Sequence, residues 1–417
     1  MQYKKQSFKI ENIVLFVFSF SLFCNSYFFV MWPTYEIPAL TLLCELMSYL
    51  GGFLIIFLFL AKNSLYLRIH RKLFFVILVA VVFEVHINLF GQSYKNYLNI
   101  GQIWLVIQLF ILLQLDQEYL VKIFKYISII FLAMALPGLI YFILTNIGVS
   151  LPYSLLNSAR GNKYSVGAYY RHYPFGIILY QSGYLARYCG VFDEPGVVGT
   201  ISALLIAAGY KRLDKRIVVL LFIEGFFTFS MAFYVLIVVY AISRAFMNGA
   251  KKVALVGIVL FVTFNTFMNA NISNEYLAKV QSRIDLSSLY LVEDNRTTTA
   301  FDAEYEKFLD DGGYPLIMGY GQGAVENNKR MTASSSYKKL VYNYGIVGFS
   351  LMLLFFVLVW WEKGINKESL PFVLVFFSSI IQRPYVFTIQ YITIFVAAVV
   401  FINSAKENFR GIEKNEK

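Results

Sequence analysis

The chain has 417 residues, of which 58% are hydrophobic and 18% aromatic, and its mean hydropathy is +0.61. Only 15% of the residues are charged, so a soluble globular protein of this composition would expose too much apolar surface to water. The composition is that of a polytopic membrane protein, whose helices each need about 20 apolar residues to span the bilayer. The net charge of +11 is then attributed to basic cytoplasmic loops, and no nucleic acid is expected as a partner.

Apolar segments of suitable length for membrane spans follow one another along the chain. The well-separated ones lie at 11–32, 38–61, 73–90, 98–115, 123–147, 195–210, 253–269, 339–361, 369–383 and 385–402. The stretch 217–243 is long for one span and short for two. The first segment lacks a small-residue cleavage site, so we interpret it as a retained span and not as a signal peptide.

The distribution of lysine and arginine predicts which loops are cytoplasmic, because cytoplasmic loops carry an excess of both. Besides the N-terminus and the C-terminal tail, basic residues concentrate at 62–72, 122–125 and 211–216. The basic stretch 244–252 is also cytoplasmic only if 217–243 crosses the membrane twice, turning near Thr228 to Ser230. The sequence therefore predicts about twelve membrane segments in a single multi-pass domain covering 1–417, with both termini in the cytoplasm.

Two long segments, about 148–192 and about 270–337, are external on this topology. Long loops on a rigid scaffold usually carry function. The first contains many tyrosines together with Arg171, His172 and Arg187. We interpret the tyrosines either as an aromatic belt at the lipid interface or as a surface that stacks on sugars, and these two interpretations are compatible.

A charged stretch, RYCGVFDEPGVVG at 187–199, leads into one of the apolar segments. Asp193 and Glu194 stand where a helix would begin, with Pro195 at the first helical position. Three interpretations of Glu194 are open. Glu194 caps a helix whose following small residues allow close packing, or it caps the helix and also orients Arg187. Alternatively, it acts as a general base.

The pattern R-x-x-G-x-F-x-E-P-G-x-x-G resembles the O-antigen polymerase (Wzy) family and its relatives, the O-antigen ligases. Further segments fit in order and spacing over roughly residues 120–400; they are TFS at 228–230, MGYGQG at 318–323, SSSYKKLVYNYGIVGF at 334–349 and QRPY at 382–385. Met231 stands where these families often have an arginine. Ser334 to Tyr337 stand where the ligases have a histidine, which favours a polymerase.

The resemblance implies an all-α polytopic protein of the GT-C type in the bacterial inner membrane. It implies that a growing O-antigen or capsule-type glycan moves from undecaprenyl diphosphate onto a lipid-linked repeat unit at the outer face. The implied partners are undecaprenyl-diphosphate-linked oligosaccharides, membrane lipids and a protein that regulates chain length.

The leaving lipid diphosphate gains negative charge, and arginine suits it because the planar guanidinium matches phosphate oxygens. The predicted catalytic residues are Arg187, Glu194 and Asp193. The predicted diphosphate- or glycan-binding residues are Arg171, His172, Arg283, Arg296, Tyr337 and Arg383. Asp294 and His172 are further candidates for the base that activates the acceptor hydroxyl.

No cofactor or metal ion is expected, because no cluster has metal-ligand spacing. Cys24, Cys44 and Cys189 do not form a recognisable disulfide framework. Ionisable residues inside apolar segments are candidates for function, but we interpret them here as structural. These residues are Glu45, Glu84, His86 and Glu224.

Two alternatives to a polymerase stay open. An O-antigen ligase differs in its acceptor, which is lipid A core instead of a lipid-linked repeat unit. A transporter, such as a flippase for lipid-linked oligosaccharides, would favour an internal repeat and charges along a central cavity. This chain has no evident repeat, and its charges gather in the two external segments.

Overall fold

The computed structural model of the chain describes residues 2–24, 38–63, 69–89, 100–156, 168–181, 186–192, 194–270, 281, 297–328, 336–383 and 387–415. The first helices are α1 (Gln2–Ser21), α2 (Pro38–Asn63), α3 (Arg71–Leu89), α4 (Ile100–Gln114) and α5 (Gln117–Asn146). Four strands follow, β1 (Ser154–Leu156), β2 (Ala168–Tyr173), β3 (Gly176–Gln181) and β4 (Arg187–Gly190).

The helices after the strands are α6 (Pro195–Gly209), α7 (Lys215–Phe227), α8 (Met231–Met247) and α9 (Ala250–Asn269). Three helices of the second predicted external segment are α10 (Thr299–Asp311), α11 (Gly313–Met318) and α12 (Ala324–Asn327). The last helices are α13 (Tyr337–Glu362), a 3₁₀ turn (Lys367–Ser369), α14 (Leu370–Gln382) and α15 (Ile389–Asn415).

Among the described residues, four helices are long and apolar enough, by length and composition, to cross a membrane: Leu42–Lys62, Gln117–Asn146, Ala250–Phe267 and Tyr337–Glu362. Shorter apolar helices lie at Ile10–Ser21, Ile103–Gln114, Pro195–Gly209, Met231–Met247 and Ile389–Ser404. The chain is therefore a mostly helical, membrane-embedded protein. Each apolar segment predicted from the sequence contains a helix in the part that the structure describes, although the helix of the first segment ends at Ser21 and that of the last begins at Ile389. The number of crossings stays a prediction.

The ambiguous stretch 217–243 forms two antiparallel helices, α7 and α8. Arg212 precedes α7 and Arg244 lies at the end of α8, and their guanidinium groups lie 3.3 and 2.8 Å from the same carboxylate oxygen of Glu368. The hydrogen bond from Arg244, aided by Arg212, holds the pKa of the Glu368 carboxyl below its usual value. Both outer ends of this helix pair thus meet at one end of the bundle, as two short crossings would require.

The TFS segment makes the turn between these two helices through the hydroxyl of Thr228. That hydroxyl donates to the carbonyl oxygen of Gly225 at 2.6 Å and accepts from the N–H of Ser230 at 3.2 Å. Phe229 has φ +49°, which is uncommon for a bulky residue. The Thr228 side chain therefore satisfies backbone groups that the helix end leaves unpaired.

The end of the bundle that carries Glu368 also carries further basic residues and their partners. They include Lys62 with Glu11 at 3.2 Å, His70 with Glu362 at 3.5 Å, Lys363 with the carbonyl oxygen of Leu113 at 2.5 Å, and Lys72 over the ring of Trp361 at 5.1 Å. This is the end that the charge pattern predicts to be cytoplasmic.

The first predicted external segment contains a four-stranded antiparallel sheet in the order β1-β2-β3-β4. The expected all-α fold holds for the apolar segments but is wrong here. Aromatic and β-branched residues, which favour strands, fill β2 and β3. A tight turn at Pro174 and Phe175 joins these two strands, and Phe175 adopts φ +57°.

The sheet packs against the second half of α5 through glycines. A Cβ atom at Gly138 of α5 would lie 2.7 Å from the Cα of Gly190, and one at Gly176 would lie 3.0 Å from the Cα of Gly138. Neither distance leaves room for a side chain. Beside this contact, the rings of Tyr141 and Tyr173 stack at 4.8 Å. Glycine at these positions therefore allows the strand backbones to lie directly on the helix.

The second predicted external segment contributes a small helical subdomain, which we define as residues 297–328 and 336–344. It has a hydrophobic core of its own, formed by Phe301, Tyr305, Phe308, Val325, Val341 and Tyr342. The main core of the bundle is separate and includes residues from α1 to α8 and from α13 to α15. The subdomain is joined to the bundle through α13, because its last residues form the first turns of that helix.

Candidate functional site

Glu194 is the N-cap residue of α6, and Pro195 occupies the first helical turn, as predicted. The backbone of Glu194 is extended, with φ −146° and ψ 144°, but its side chain makes no capping hydrogen bond. The positive end of the helix still favours a carboxylate at this position. The capping interpretation is therefore correct for the position of Glu194 and wrong for its side chain.

The carboxylate of Glu194 accepts a hydrogen bond from Arg383 instead. Arg383 Nη1 lies 2.7 Å from Glu194 Oε2, and the two side chains are only 4% and 7% exposed. Arg383 follows the last residue of α14. Ion pairs this deeply buried pay a large desolvation penalty, and each partner becomes costly if the other is removed. The pair consequently fixes the start of α6 against the end of α14.

Arg383 keeps hydrogen-bonding capacity beyond this ion pair. Its Nε and Nη2 atoms are buried and have no partner among the residues that the structure describes. A guanidinium group can bind two oxygens of a phosphate or carboxylate with such adjacent donors. The site therefore combines a fixed, buried cation with unused donors, which is the arrangement needed to bind an anionic group.

The residues on either side of Glu194 are held by close packing. The buried ring of Phe192 stacks on Phe131 of α5 at 5.6 Å and lies 6.5 Å from Phe23 at the end of α1. On the other side, a Cβ atom at Gly199 would lie 3.0 Å from the Cβ of Ser230. The E-P-G-x-x-G pattern thus meets the TFS turn through Gly199. Glu194 is positioned by a rigid environment.

Arg187 lies on β4, where its backbone pairs with Leu179 of β3. Its side chain is half-buried and makes no ion pair within the described part of the chain. Cross-strand pairing puts Arg187, Leu179 and Tyr170 on one face of the sheet, and Arg171, Ile178 and Tyr188 on the other. The two arginines predicted to bind substrate therefore lie on opposite faces.

Arg171 lies within a group of tyrosine rings. Its guanidinium carbon is 4.5 Å from the ring centre of Tyr153, 4.3 Å from that of Tyr180 and 6.0 Å from that of Tyr169. Tyr169 and Tyr180 stack on each other at 5.4 Å with an angle of 7° between the rings. The negative faces of the rings stabilise the cation. Three tyrosines of this loop therefore contact an arginine of the chain itself.

His172 follows Arg171 on β2, and its side chain is on the opposite face of the sheet. Its Nδ1 lies 3.1 Å from Ser154 Oγ, and the side chain is buried. Burial lowers the pKa of His172 from 6.5 to about 4. The imidazole is therefore neutral at pH 7 and is a weak base, which argues against the predicted roles of phosphate cation and general base.

Tyr337 is the first residue of α13 and packs against the core of the helical subdomain. Next to it, Lys338 Nζ lies 2.9 Å from an oxygen of Asp302, which joins α13 to α10. Lys339 is buried, and it was not among the residues predicted for the site. The sequence offered one signal for this burial, which is a lysine among apolar residues just before the G-I-V-G motif.

The two glycine motifs meet at a break in α13. Gly345 has φ +66° and ψ −178°, which interrupts the helix. The N–H groups of Tyr320 and Gly321 donate to the carbonyl oxygens of Tyr342 and Asn343, at 3.0 and 2.7 Å. Gly319 faces Gly345 so closely that a Cβ atom on either residue would overlap the other segment's backbone. The MGYGQG segment therefore binds helical carbonyls that the break leaves unpaired.

His86 of α3 forms a hydrogen bond with a third carbonyl group at this break, that of Tyr344. Its Nε2 lies 2.8 Å from the carbonyl oxygen of Tyr344, and the ring is buried against Gly348. The ring of Phe83 lies 5.8 Å from that of Tyr344 and 4.5 Å from that of Phe387, four residues after Arg383. His86 is thus structural, as interpreted, and it supports a broken helix close to the Arg383 segment.

Glu224 of α7 is a second buried carboxylate. It is fully buried, and neither carboxyl oxygen has a partner among the described residues. The hydroxyl of Tyr188 on β4 is likewise buried and unpaired within the described part. Burial, with Glu224 nearby, raises the pKa of Tyr188 well above its usual value. These two groups are distinct from the Glu194–Arg383 pair.

Three of the predicted site residues, Asp193, Arg283 and Arg296, lie outside the described residues, as does Asp294. Of the others, the structure brings together Glu194 and Arg383. Arg187 and His172 share one face of the sheet, Arg171 lies on the other, and Tyr337 belongs to the helical subdomain. Within the described part, no group of three or more His, Cys, Asp or Glu residues could hold a metal ion.

Comparison of the chain with protein-family models, curated proteins and solved structures gives no match.

Proposed function

We propose that this protein is a glycosyltransferase that polymerises an O-antigen or capsule-type polysaccharide in the bacterial inner membrane. It transfers a growing glycan from undecaprenyl diphosphate onto a lipid-linked repeat unit at the outer face. The proposal includes about twelve membrane segments, cytoplasmic termini and a GT-C type of fold. The observation that carries it is buried Arg383, which Glu194 holds in place and which keeps two unused donors.

The chemistry requires stabilisation of the leaving group. The bond from the anomeric carbon to the diphosphate oxygen breaks, and its electron pair stays on that oxygen. The acceptor hydroxyl oxygen bonds to the same carbon and releases its proton to a base. Donors fixed in a site that excludes water stabilise such developing charge by several kcal/mol, roughly. Arg383 offers Nε and Nη2 for this purpose.

The pairing with Arg383 changes the role proposed for Glu194. A carboxylate that already accepts a hydrogen bond from a buried guanidinium group is engaged in an ion pair and is a poor candidate for the general base. Glu194 therefore positions Arg383 and balances its charge while no substrate is bound. His172 is also a weak base at neutral pH, since burial lowers its pKa to about 4. Asp193, one residue before Glu194, stays the candidate base.

The helical subdomain and the sheet supply surfaces for the glycan in this proposal. Both lie at the end of the bundle opposite to the basic residues around Glu368. Arg187 is half-buried and makes no ion pair within the described residues, so its guanidinium group is available to an anionic sugar or phosphate. Tyr337 is half-buried at the start of α13 and offers an aromatic ring to the glycan.

The test is a deletion strain complemented with single-residue variants, with surface polysaccharide resolved on a gel. We expect the deletion strain to carry one repeat unit on its surface lipid and no longer chains. The native protein should restore long chains. Arg383→Lys should restore about 10- to 100-fold less at equal protein level, because hydrogen bonds to charged groups contribute about 1.5–3 kcal/mol each.

The matched control is Arg212→Lys, which alters a partly buried arginine at the opposite end of the bundle and should restore long chains. If the deletion strain instead carries surface lipid without any repeat unit, and long chains accumulate on the lipid carrier, the protein is a ligase. If the surface lipid of the deletion strain lacks any repeat unit, and single repeat units stay on the cytoplasmic face of the membrane, the protein is a transporter. Either pattern, or full activity of Arg383→Lys, would contradict the proposal.

A further inference from the structure

The short helix α11 exposes apolar side chains at the surface of the helical subdomain. Tyr314 and Ile317 are 60% and 51% exposed, and their spacing of three positions places them on one face of the helix. Leu316, between them, packs against the core of the subdomain. The helix has the sequence GYPLIM, which contains no charged residue, and the exposed Asp310 and Asp311 lie just before it. The outer face of α11 is therefore an apolar surface that the described residues leave uncovered.

The backbone of α11 contacts α13 at the break in that helix. A Cβ atom on Gly345 would overlap the carbonyl oxygen of Ile317. The residues that follow Gly345 in α13, Ile346 and Val347, are both exposed. Because α13 is long and apolar enough to cross the membrane, exposed aliphatic side chains on it face lipid. The exposed Ile317 thus lies beside a lipid-facing surface, and the apolar face of α11 continues it.

The position of this contact along α13 determines its depth in the bilayer. Trp361 is near the other end of the helix and has the ammonium group of Lys72 at 5.1 Å from its ring, and tryptophan is enriched at the membrane–water interface. With a rise of about 1.5 Å per residue, Ile346 lies about 23 Å from Trp361 along the helix axis. The hydrocarbon core is about 30 Å thick. Ile346 and the adjacent Ile317 are therefore within the thickness of the core, and any tilt of α13 places them deeper.

We propose that the apolar face of α11 inserts into the leaflet at this end of the bundle and anchors the helical subdomain to the bilayer. The Ile317 side chain lies among the acyl chains. The ring of Tyr314 contacts the chains as well, and its hydroxyl reaches the headgroups. Asp310 and Asp311 stay in water and limit the depth of insertion, because charged groups are strongly disfavoured in hydrocarbon. This anchoring goes beyond the proposed function and is independent of the reaction.

The anchor holds the subdomain at the height of the candidate site. The ring of Phe83 lies 5.8 Å from that of Tyr344, just before the break in α13, and 4.5 Å from that of Phe387. Phe387 follows Arg383 by four residues, so the break and the Arg383 segment are at a similar height in the bundle. The bilayer therefore supports the subdomain from the side, in addition to its covalent link through α13.

The experiment measures the surroundings of each exposed position with a nitroxide spin label. Tyr314→Cys, Ile317→Cys, Ile346→Cys and Asp310→Cys are made separately in the full chain, whose buried native cysteines are replaced by alanine. Each labelled protein is reconstituted into vesicles of phosphatidylethanolamine and phosphatidylglycerol. Oxygen concentrates among the acyl chains, whereas a water-soluble nickel chelate stays outside them. We expect the ratio of oxygen to nickel collision rates at positions 314 and 317 to be several-fold higher than at position 310, with position 317 close to the lipid-facing position 346.

Two results would overturn the insertion. A ratio at positions 314 and 317 equal to that at position 310 places the face in water. Low collision rates with both reagents at these positions mean that protein covers the face, either a second copy of the chain or another protein.

The unmodified protein provides a second measurement that does not depend on the folding of any variant. It is reconstituted into vesicles that contain a phospholipid with a diazirine in its acyl chain, the sample is irradiated, and tandem mass spectrometry locates the lipid adducts. Adducts within 313–318 support the insertion, and adducts on α13 without any in 313–318 contradict it. Neither measurement reads polysaccharide, so failure of the proposed function leaves this inference standing, and the reverse also holds.

Discussion

Glu194 and Arg383 are 189 positions apart in the chain, yet Arg383 Nη1 lies 2.7 Å from Glu194 Oε2 in a buried ion pair. The pair connects the N-cap residue of one apolar helix with the residue that follows another. Two guanidinium donors of Arg383, Nε and Nη2, stay unused by the described residues. In the proposed function, these two donors bind the diphosphate.

Removing only one partner of this pair should destabilise the protein. Glu194→Ala leaves Arg383 as an unpaired buried charge, which we expect to lower the free energy of unfolding by about 3–5 kcal/mol. The double variant Glu194→Leu with Arg383→Met replaces both charges by apolar side chains of similar size and should recover most of that loss. Thermal unfolding of the purified protein in detergent measures both effects.

The same double variant separates stability from activity. It should produce no long chains in the complemented deletion strain, even at the native protein level, because it lacks the donors for the diphosphate. Long chains made by the double variant would show that the ion pair is structural only.

Arg187→Lys tests whether Arg187, like Arg383, binds an anionic group of the substrate. Lysine keeps the charge but loses the planar group that bonds two oxygens at once. We expect about a tenfold or greater loss of long chains with Arg187→Lys and a larger loss with Arg187→Ala. Protein amount should stay unchanged, since Arg187 makes no ion pair within the described residues. If lysine restores full activity at equal expression, Arg187 does not bind the substrate through two hydrogen bonds of a planar guanidinium group.

Gly345 should tolerate no side chain. Its φ of +66° disfavours other residues, and a Cβ atom would overlap the backbone at Ile317. We expect Gly345→Ala to lower the free energy of unfolding by about 1–3 kcal/mol from backbone strain, and by more from the overlap. The matched control is Gly257→Ala in α9, where no atom lies within 4 Å of the new Cβ.

Thermal unfolding of both glycine variants gives the comparison. Alanine favours a helix over glycine by about 0.5–1 kcal/mol, so the Gly257 variant should be as stable as the native protein or more stable. Equal stability of the two variants would mean that the contact between the MGYGQG segment and α13 does not require glycine.

His172 should make stability depend on pH. Its pKa is lowered to about 4 in the folded chain from a usual value of 6.5, so the unfolded chain binds more protons between these values. The free energy of unfolding should therefore fall as the pH is lowered from 6.5 toward 4. His172→Gln should remove this part of the slope. The measurement compares the unfolding midpoints of both proteins at pH 7 and pH 5, and equal shifts would contradict the prediction.

Local signals in the sequence predicted the positions of the apolar helices. Runs of about 20 apolar residues require helices, because the bilayer offers no partner for backbone groups. The turn inside 217–243 was predicted from charge, since only a second crossing places the basic stretch 244–252 with the other basic loops. Pro195 likewise indicated the start of α6. Each of these features depends on residues that are close together in the chain.

The tertiary structure decided which distant residues meet. No local pattern assigns Glu194 to Arg383 or joins Gly319 to Gly345, because these contacts depend on how the helices pack. The sheet was missed for a related reason. Its strands are three to six residues long and are stabilised by pairing with each other and by contact with Gly138. The sequence by itself determined a basic end and an apolar interior, since charge and hydropathy act residue by residue. The packing of the helices decided which side chains form the site.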